Sequence, residues 1–478
     1  MIKTIMRHEW RSLLLDRTLW FITTLFALLI GYGASNGSAW VAFQQTALTA
    51  AQNEERSRYS QAQAELARIE QGGKASSAFT NPRLPSVAAS RAGTRYAILP
   101  PSPLASLSVG QSDLYPYYFK VSSQSRQTFL NNEEVENPAN LLAGRFDLSF
   151  VIIYIFPLLI LALSYNLLSA EREQGTLQMI LSQPVRLRDY VLGKVLVRTL
   201  IILSLTFGFS IAGFLISGGT ITTAEGFYRL LLWMGTVGVY GAFWFSLAIL
   251  VNGAGRSSAT NALSLAGLWL LFVLLIPSIL NLVVSAIHPV PSRIEMIQAT
   301  RRASTEATTK GSALMARYLE DHPELVTDRE VDPNDFVLRT LAIQAETERL
   351  VQPVIDHFDQ QTFRQQSLID RWRFLSPAIV AQSTLNDVAG TSFSRYRHFL
   401  RLVEDFHQRW RSHFTPLIVR RVELRATDYE NFPVFQFKEE SQRGLLRRVL
   451  IGLFGLLLPV ILTGGFGFRA LRRYSIGG

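Results

Sequence analysis

Six apolar blocks, each about 20 residues long, constrain this chain more than any other feature of its sequence. They occupy residues 18–40, 147–169, 195–217, 228–251, 260–286 and 446–466. A block of this length crosses the hydrocarbon core of a bilayer as an α-helix. Charged residues make up only 18% of the chain, whereas a soluble domain carries about 25%. The blocks predict a mainly α, polytopic membrane protein with six transmembrane helices, and they exclude an ordinary soluble enzyme.

The positive charge of the chain is concentrated in the short segments between these blocks. The net charge is +10, from 47 Lys and Arg against 37 Asp and Glu. Four short segments on one side of the predicted membrane hold +7 of it: residues 1–17, 170–194, 252–259 and 467–478. The long loops 41–146 and 287–445 together hold only +1. Short cytoplasmic loops are enriched in Lys and Arg. We therefore expect cytoplasmic termini, periplasmic long loops and a bacterial inner membrane, with lipid rather than nucleic acid as the charge partner.

The two ends of the chain are basic. Residues 1–17 place apolar side chains at helical spacing between basic ones, which predicts an amphipathic helix at the membrane interface. Arg7, Trp10 and Arg11 are its candidate interfacial residues. Residues 467–478 form a basic tail.

The two long loops are predicted to form a largely helical periplasmic domain. Residues 44–71 contain neither Pro nor Gly and favour a helix, whereas residues 79–120 carry six prolines and favour an irregular or partly β segment. In the second loop, apolar stripes over 336–375 and 395–425 indicate helices. Residues 432–437 alternate in polarity, as in a short strand or an aromatic belt at the membrane surface.

The sequence lacks the motifs that would make the chain an enzyme. Gly72-Gly73-Lys74 is followed by Ala75, so no P-loop is present, and no cysteine is available as a nucleophile. Six of the seven histidines lie in the second long loop without an i, i+4 pair, and we expect no metal or cofactor in this chain. Residues 33–37 match the G-x-S-x-G pattern of serine hydrolases. They end a predicted membrane helix, where small residues serve close packing.

The segment 170–194 is the most informative short loop. It combines acidic residues, a glycine turn, a short apolar face (Leu177, Met179, Ile180, Leu181) and basic residues. Such a short helix suits docking into a cleft of a soluble protein. We expect Arg186, Arg188 and Lys194 to hold the segment at the anionic membrane surface. The alternative is a plain basic loop between two spans. The candidate docking residues are Glu171, Arg172, Glu173, Gly175, Thr176, Leu177, Ser182 and Pro184.

This segment resembles the first cytoplasmic loop of ABC-2 type transporter permeases. That loop shows an E-x-x-x-G-T pattern, a Ser-x-Pro step and a Gly-Lys pair, which are matched here by Glu171, Gly175-Thr176, Ser182-Gln183-Pro184 and Gly193-Lys194. Residues 1–17 resemble the N-terminal elbow of that family. Residues 99–116 and 375–391 resemble a subgroup with enlarged periplasmic loops, largely of unknown function and related to permeases of gliding motility and of nitrous-oxide-reductase maturation.

The resemblance implies a mechanism. Family members pair two permease halves with two cytoplasmic ATP-binding subunits, which hold ATP and Mg²⁺, and the segment 171–184 would supply the coupling helix. The chain would then be the non-catalytic permease subunit of an exporter-like ABC transporter, paired with a copy of itself or a paralogue. The alternative is a scaffold that transmits ATP-driven motion to a periplasmic partner and transports nothing.

Overall fold

A computed structural model describes residues 2–75, 77, 79–124, 145–219, 223–323 and 335–474. Within these residues, an amphipathic helix, α1 (Ile2–Leu15), precedes six helices that are long and apolar enough to cross a membrane. These six are α2 (Arg17–Glu70), α3 (Leu148–Glu173), α5 (Leu187–Ile216), α6 (Ala224–Gly253), α7 (Ser258–Ile287) and α13 (Gln442–Arg472). The fold is mainly α, and the chain is a polytopic membrane protein.

The remaining elements are shorter or more polar. A helical turn at Pro85–Val87 continues as a π turn at Ala88–Ala92. Strands β1 (Arg95–Ile98) and β2 (Tyr118–Val121) pair antiparallel, with Arg95 opposite Val121, and confirm the partly β character expected there. The helices are α4 (Thr176–Leu181), α8 (Arg293–Thr309), α9 (Gly311–Asp321), α10 (Phe336–Trp372), α11 (Pro377–Ala389) and α12 (Phe393–Val419).

The helix that contains the first span does not end near residue 40. Helix α2 runs without a break to Glu70, so the predicted span and the predicted helix over 44–71 are one element. Asp16 caps its start by accepting a hydrogen bond from the Thr18 amide at 2.8 Å. Neither Pro nor Gly occurs between Gly37 and Glu70, so no backbone signal stops the helix where its composition changes from apolar to polar.

Two hydrophobic cores hold the molecule together. The first lies among the spans, where Phe156, Trp233, Tyr240 and Trp244 are fully buried. The second is built from the far half of α2, the two strands, α9, α10, α12 and residues 424–432, around a buried Trp410. We call this second part, together with α8, the extramembrane unit.

Residues 432–437 do not form a strand, and the rings of Phe432, Phe435 and Phe437 pack into the second core, mainly against α12. A position of this segment at a membrane surface stays a prediction. The ring centroids of Phe432 and Phe414 lie 4.7 Å apart, and those of Phe435 and Phe406 lie 5.6 Å apart. The alternation therefore comes from rings that point into the second core.

The small residues at 33–37 serve close packing. A Cβ on Gly33 would lie 2.8 Å from the backbone oxygen of Asp147, and a Cβ on Gly37 would overlap the backbone of Ser106. These two glycines admit the backbone of Ser106 and the start of α3. Between them, Ala34 faces α5, where a Cβ on Gly213 would lie 3.4 Å from Cβ of Ala34, so a helix–helix contact is present as well.

Helix α11 packs inside the span bundle, although the sequence placed all of 287–445 in one periplasmic domain. Its main neighbours are α6 and α13. An ideal Cβ on Gly452 of α13 would lie 3.3 Å from Cβ of Thr384, and Arg229 of α6 donates a hydrogen bond to the Val388 carbonyl at 3.0 Å. A helix of 13 residues is too short to be recognised as a span, so its burial depends on these tertiary contacts.

Candidate coupling surface

One end of the span bundle carries the short connections, and we call it the short-loop end. Here the last turn of α3, Ser169–Glu173, is followed by a sharp turn at Gly175 and then by α4. Gly175 has φ = +73°, a backbone conformation that glycine adopts without strain. The turn lets two short helices follow each other at the bundle surface.

The inner side of this segment is held by a buried ion pair. Glu171 Oε1 lies 2.5 Å from Lys194 Nζ on α5, and the Tyr190 hydroxyl donates to the same oxygen at 3.2 Å. Lys194 also donates to the Leu167 carbonyl at 2.9 Å, and its side chain is only 3% exposed. Lys194 therefore does not lie at the membrane surface as the sequence suggested, because a carboxylate and a carbonyl inside the bundle satisfy its charge.

Two further contacts tie the segment to the start of α7. The Glu173 carboxylate accepts hydrogen bonds from the Ser258 amide at 2.7 Å and from its hydroxyl at 2.9 Å. The Arg172 guanidinium donates to the carbonyl of Gly255. Thr176 Oγ1 donates to the Glu171 carbonyl at 3.2 Å and bridges the turn between the two helices. These polar residues therefore fix the position of α4.

The apolar face of α4 is divided. Leu177 is 1% exposed and belongs to the bundle core, whereas Met179 is 71% exposed and points away from it. Leu177 therefore does not share an exposed face with Met179, and the docking role of the segment stays a prediction. The surface presented outward consists of Gln174, Gly175, Gln178, Met179, Ser182, Gln183 and Pro184.

The N-terminal helix α1 is anchored to the same end of α5. Glu9 Oε1 lies 2.7 Å from Arg198 Nη2 and 2.9 Å from its Nε, and both side chains are buried. A Cβ on Gly193 would lie 2.6 Å from Cγ2 of Ile5, so glycine at this position allows the close approach of α1. Arg198, near the start of an apolar helix, is therefore paired inside the protein.

The outer face of α1 carries the candidate interfacial residues. Arg7, Trp10 and Arg11 are exposed, and Leu15 extends the apolar part of this face. An exposed tryptophan between arginines is typical of a helix that lies at the headgroup level.

Tyr190, Lys194 and Arg198 were not recognised as one site from the sequence, although they form one stripe of α5. They follow each other at intervals of four residues, which places them on the same helical face. Through Glu171 and Glu9, this stripe joins the α4 segment to α1. The sequence signal that could have revealed this site is the spacing of the three polar residues at i, i+4 and i+8 near the start of an apolar helix.

A metal centre is not apparent in the part of the chain that the structure describes. Among those residues, no group of three or more His, Asp or Glu side chains is placed to hold a metal ion. His407 illustrates the histidines of the extramembrane unit: burial lowers its pKa, and its Nε2 contacts the Gln124 carbonyl at 2.9 Å.

The geometry of the short-loop end agrees with what two family comparisons report. The sequence model of an ABC-2 family transporter protein matches residues 126–278, and that of a domain of unknown function (DUF3526) matches residues 293–438. The two matches are those of an ABC-2 permease with an additional domain of unknown function. No curated protein matches this permease.

The boundaries of the two matches fit the structure of the permease. The ABC-2 match contains the α4 segment and the stripe on α5, while the domain of unknown function extends from α8 to residue 438 and includes α11. A permease of this family is a multi-pass membrane subunit that works with an ATP-binding subunit.

Proposed function

We propose that this permease couples ATP hydrolysis by a separate cytoplasmic subunit to the export or extrusion of a substrate. The observation that supports it most directly is the construction of the α4 segment. Its inner side is held by Glu171, Glu173 and Leu177, and its outer side presents Met179 on a short helix. A protruding helix with a flexible apolar side chain suits a groove on another protein.

The mechanism follows from the rigid connection between this surface and the spans. A force on α4 reaches α5 through Glu171 and Lys194, and it reaches α7 through Glu173 and Ser258. The ATP-binding subunit, which would hold ATP and Mg²⁺, must contact the α4 segment differently in its nucleotide states, because only such a difference can shift the permease. A second permease half, identical or paralogous, would complete the pathway.

The same proposal sets the orientation. With the short-loop end in the cytoplasm, both termini are cytoplasmic and the extramembrane unit is periplasmic, in a bacterial inner membrane. The excess of basic residues in the short segments supports this assignment.

Cross-linking from an introduced cysteine tests the docking surface, because the chain has no native cysteine. Met179→Cys, labelled with a photoreactive maleimide in native membranes, is expected to capture one P-loop ATPase. Ser304→Cys, exposed on α8, is the control and should capture none. If Met179→Cys gives no ATPase adduct in a complex that copurifies intact, the docking role fails.

Gly175→Pro tests coupling independently. Proline requires φ near −65°, which is incompatible with the φ of +73° at this turn. We expect the variant to insert in the membrane and to lose the effect of the permease on the ATPase rate. Gly218→Pro, at an exposed turn with φ = +81° beyond the other end of α5, is the matched control. Normal coupling in Gly175→Pro would contradict the proposal.

A second function is supported by the extramembrane unit. Its separate core, around Trp410, makes it a body that could transmit motion to a periplasmic partner without transport. Reconstituted vesicles discriminate the two: nucleotide-dependent movement of this unit without release of any lipid or solute from the vesicles would favour the scaffold function.

A further inference from the structure

Two of the spans, α3 and α7, carry the same irregularity. Each contains a π turn, at Val151–Ile155 in α3 and at Leu270–Leu275 in α7. Each π turn ends two residues before a proline, Pro157 and Pro277 respectively. Sharp bends of helices occur at prolines and at π turns, and π turns are frequent at functional sites. Pro459 of α13 lies in a continuous α-helix, so a proline does not by itself impose a π turn.

A backbone carbonyl in each π turn is bonded by a hydroxyl from a neighbouring helix. Proline has no N–H, so a carbonyl one turn before it loses its helical donor. In α3, the buried Tyr240 hydroxyl of α6 donates to the Ile153 carbonyl, four residues before the proline, at 3.0 Å. In α7, the Ser376 hydroxyl of α11 donates to the Phe272 carbonyl, five residues before the proline and in the register of the π turn. Both bends are therefore held by side chains that lie outside the bent helix.

The two bends also contact each other. Trp269 is the residue directly before the π turn of α7, and its indole N–H donates to the Tyr154 carbonyl at 3.1 Å. This carbonyl lies inside the π turn of α3. A change of angle in one of the two spans therefore displaces a hydrogen-bond partner of the other.

The halves of α3 and α7 on the side of the short-loop end are joined at their far ends as well. The Ser258 amide at the start of α7 donates to the Glu173 carboxylate at the end of α3, at 2.7 Å. The Ser258 hydroxyl lies 2.8 Å from Ser169 Oγ. These contacts, together with the one from Trp269, hold the two halves to each other near both of their ends. They form one pair, and this pair carries the α4 segment.

The other halves of α3 and α7 are held by different neighbours. The Asp147 carboxylate at the start of α3 accepts a hydrogen bond from the Val109 amide at 2.7 Å. At the end of α7, the His288 carbonyl accepts one from Gln365 Nε2 of α10 at 2.6 Å. The two bends therefore separate a part that is fixed to the long loops from a part that is fixed to α4.

We propose that the π turns of α3 and α7 are two coupled hinges, about which the halves near the short-loop end swing together as one body. The Tyr240 and Ser376 hydroxyls belong to helices that do not bend with them, so their hydrogen bonds favour the present angle over others. Hinges of this kind need only a few residues at which the backbone angles change. The proposal concerns the spans themselves and holds whether or not an ATP-binding subunit drives the movement.

Distances between paired spin labels test the hinge of α7, and the chain has no native cysteine to interfere. Leu263→Cys and Leu282→Cys lie on either side of the π turn, and their side chains are exposed. Leu196→Cys and Leu215→Cys are the control pair: they are exposed and have the same residue spacing on α5, a continuous α-helix. Both pairs are measured by double electron–electron resonance in the full-length chain in lipid nanodiscs.

We expect the α7 pair to give a shorter mean distance and a broader distribution than the α5 pair, because a hinged span is bent and varies in angle. Tyr240→Phe removes the hydroxyl that bonds α3, and it should broaden the α7 distribution further through the Trp269 contact. Tyr228→Phe on the same helix is the matched control, because its hydroxyl has no hydrogen-bond partner among the described residues. Pro277→Ala should lengthen and narrow the α7 distribution, and it is the second variant should Tyr240→Phe not fold.

Two results would overturn the proposal. An α7 distribution as narrow as that of α5, and unchanged by Pro277→Ala, would show that the bend is rigid. A broad α7 distribution that Tyr240→Phe changes no more than Tyr228→Phe does would show that the two bends move independently.

Discussion

At the scale of single residues, buried charges decide how the short-loop end is held together. Lys194 and Arg198 each have a carboxylate partner on another helix, Glu171 and Glu9 respectively. Breaking such a pair leaves one charge buried without compensation, which costs more than the pair itself contributes. These residues therefore position the α4 segment and α1. Substituting them is expected to lower the stability of the permease, so such variants report on structure first and on coupling only if the fold is intact.

We predict that Glu171→Gln lowers the stability of the permease in detergent by about 3 kcal/mol, because Lys194 then loses its carboxylate. The double variant Glu171→Gln/Lys194→Met should recover most of this loss, since it removes the unpaired charge. Thermal unfolding measures both. Gln178→Ala, exposed on α4, is the control. A double variant no more stable than the single one would contradict the ion-pair argument.

Histidines of the extramembrane unit give its stability a pH dependence. Burial lowers the pKa of His407, and Arg411 opposes its protonation further, whereas Glu348, Glu404 and the Gln124 carbonyl favour it. The folded state therefore prefers the neutral ring. The neutral His407 ring therefore contributes fully to the stability of the folded state above the ordinary histidine pKa of about 6.5. This contribution is lost as the pH falls from there through the lower pKa of the folded state.

The unit should thus unfold at a lower temperature near pH 5.5 than near pH 7.5, both approximate. His407→Gln is expected to reduce this difference but not to abolish it, because burial also lowers the pKa of His413. His357→Gln, at an exposed position on α10, serves as the control. An unchanged pH dependence in His407→Gln would refute the assignment.

At the scale of elements, the sequence predicted the six spans but not the packing of helix α11 against them. The six spans were recognised because each is a continuous apolar run of sufficient length. Helix α11 is short and contains Ser, Thr, Asn and Asp, so its composition resembles that of a surface helix. Its burial depends on Gly452, which lies far along the chain and admits Thr384.

The same reason explains the error at Lys194. A basic residue at the end of an apolar run is ordinarily at the membrane surface, and nothing local distinguishes one whose partner is Glu171 on the preceding helix. In contrast, the α4 segment was located correctly in sequence because its glycine turn and its acidic residues are contiguous. Which of its side chains face outward depends on tertiary packing.

A disulfide tests the position of α11. The Cβ atoms of Thr384→Cys and Gly452→Cys would lie 3.3 Å apart, close to the usual disulfide range of about 3.5–4.5 Å. We predict that this pair oxidises readily in membranes, measured as loss of labelling by a thiol-reactive polymer. The pair Ser383→Cys/Gly452→Cys, shifted by one residue, should keep both thiols. Equal oxidation of the two pairs would contradict the packing of α11 on α13.

At the scale of the whole molecule, the two cores are joined by a group of ion pairs. Arg448 of α13 contacts Asp387 of α11 and also Glu440, at 2.6 Å. Arg395 at the start of α12 pairs with Glu439 at 2.5 Å. A polar cavity of about 160 Å³ lies among these side chains. These contacts, together with the continuous helix α2, connect the spans to the extramembrane unit.

Two cores joined by polar contacts should not unfold as one unit. The backbone hydrogen bonds of the spans lie in an apolar environment, whereas those of the extramembrane unit compete with water. Denaturant should therefore increase hydrogen exchange in α12 and the strands before it affects α6 and α13.

Arg395→Gln, which removes the pair with Glu439 and a hydrogen bond to the Pro100 carbonyl at 3.0 Å, should lower the denaturant concentration for the first step only. Exposed Arg401→Gln on the same helix is the control. Simultaneous exchange in both cores would mean that the junction couples them more tightly than these contacts account for.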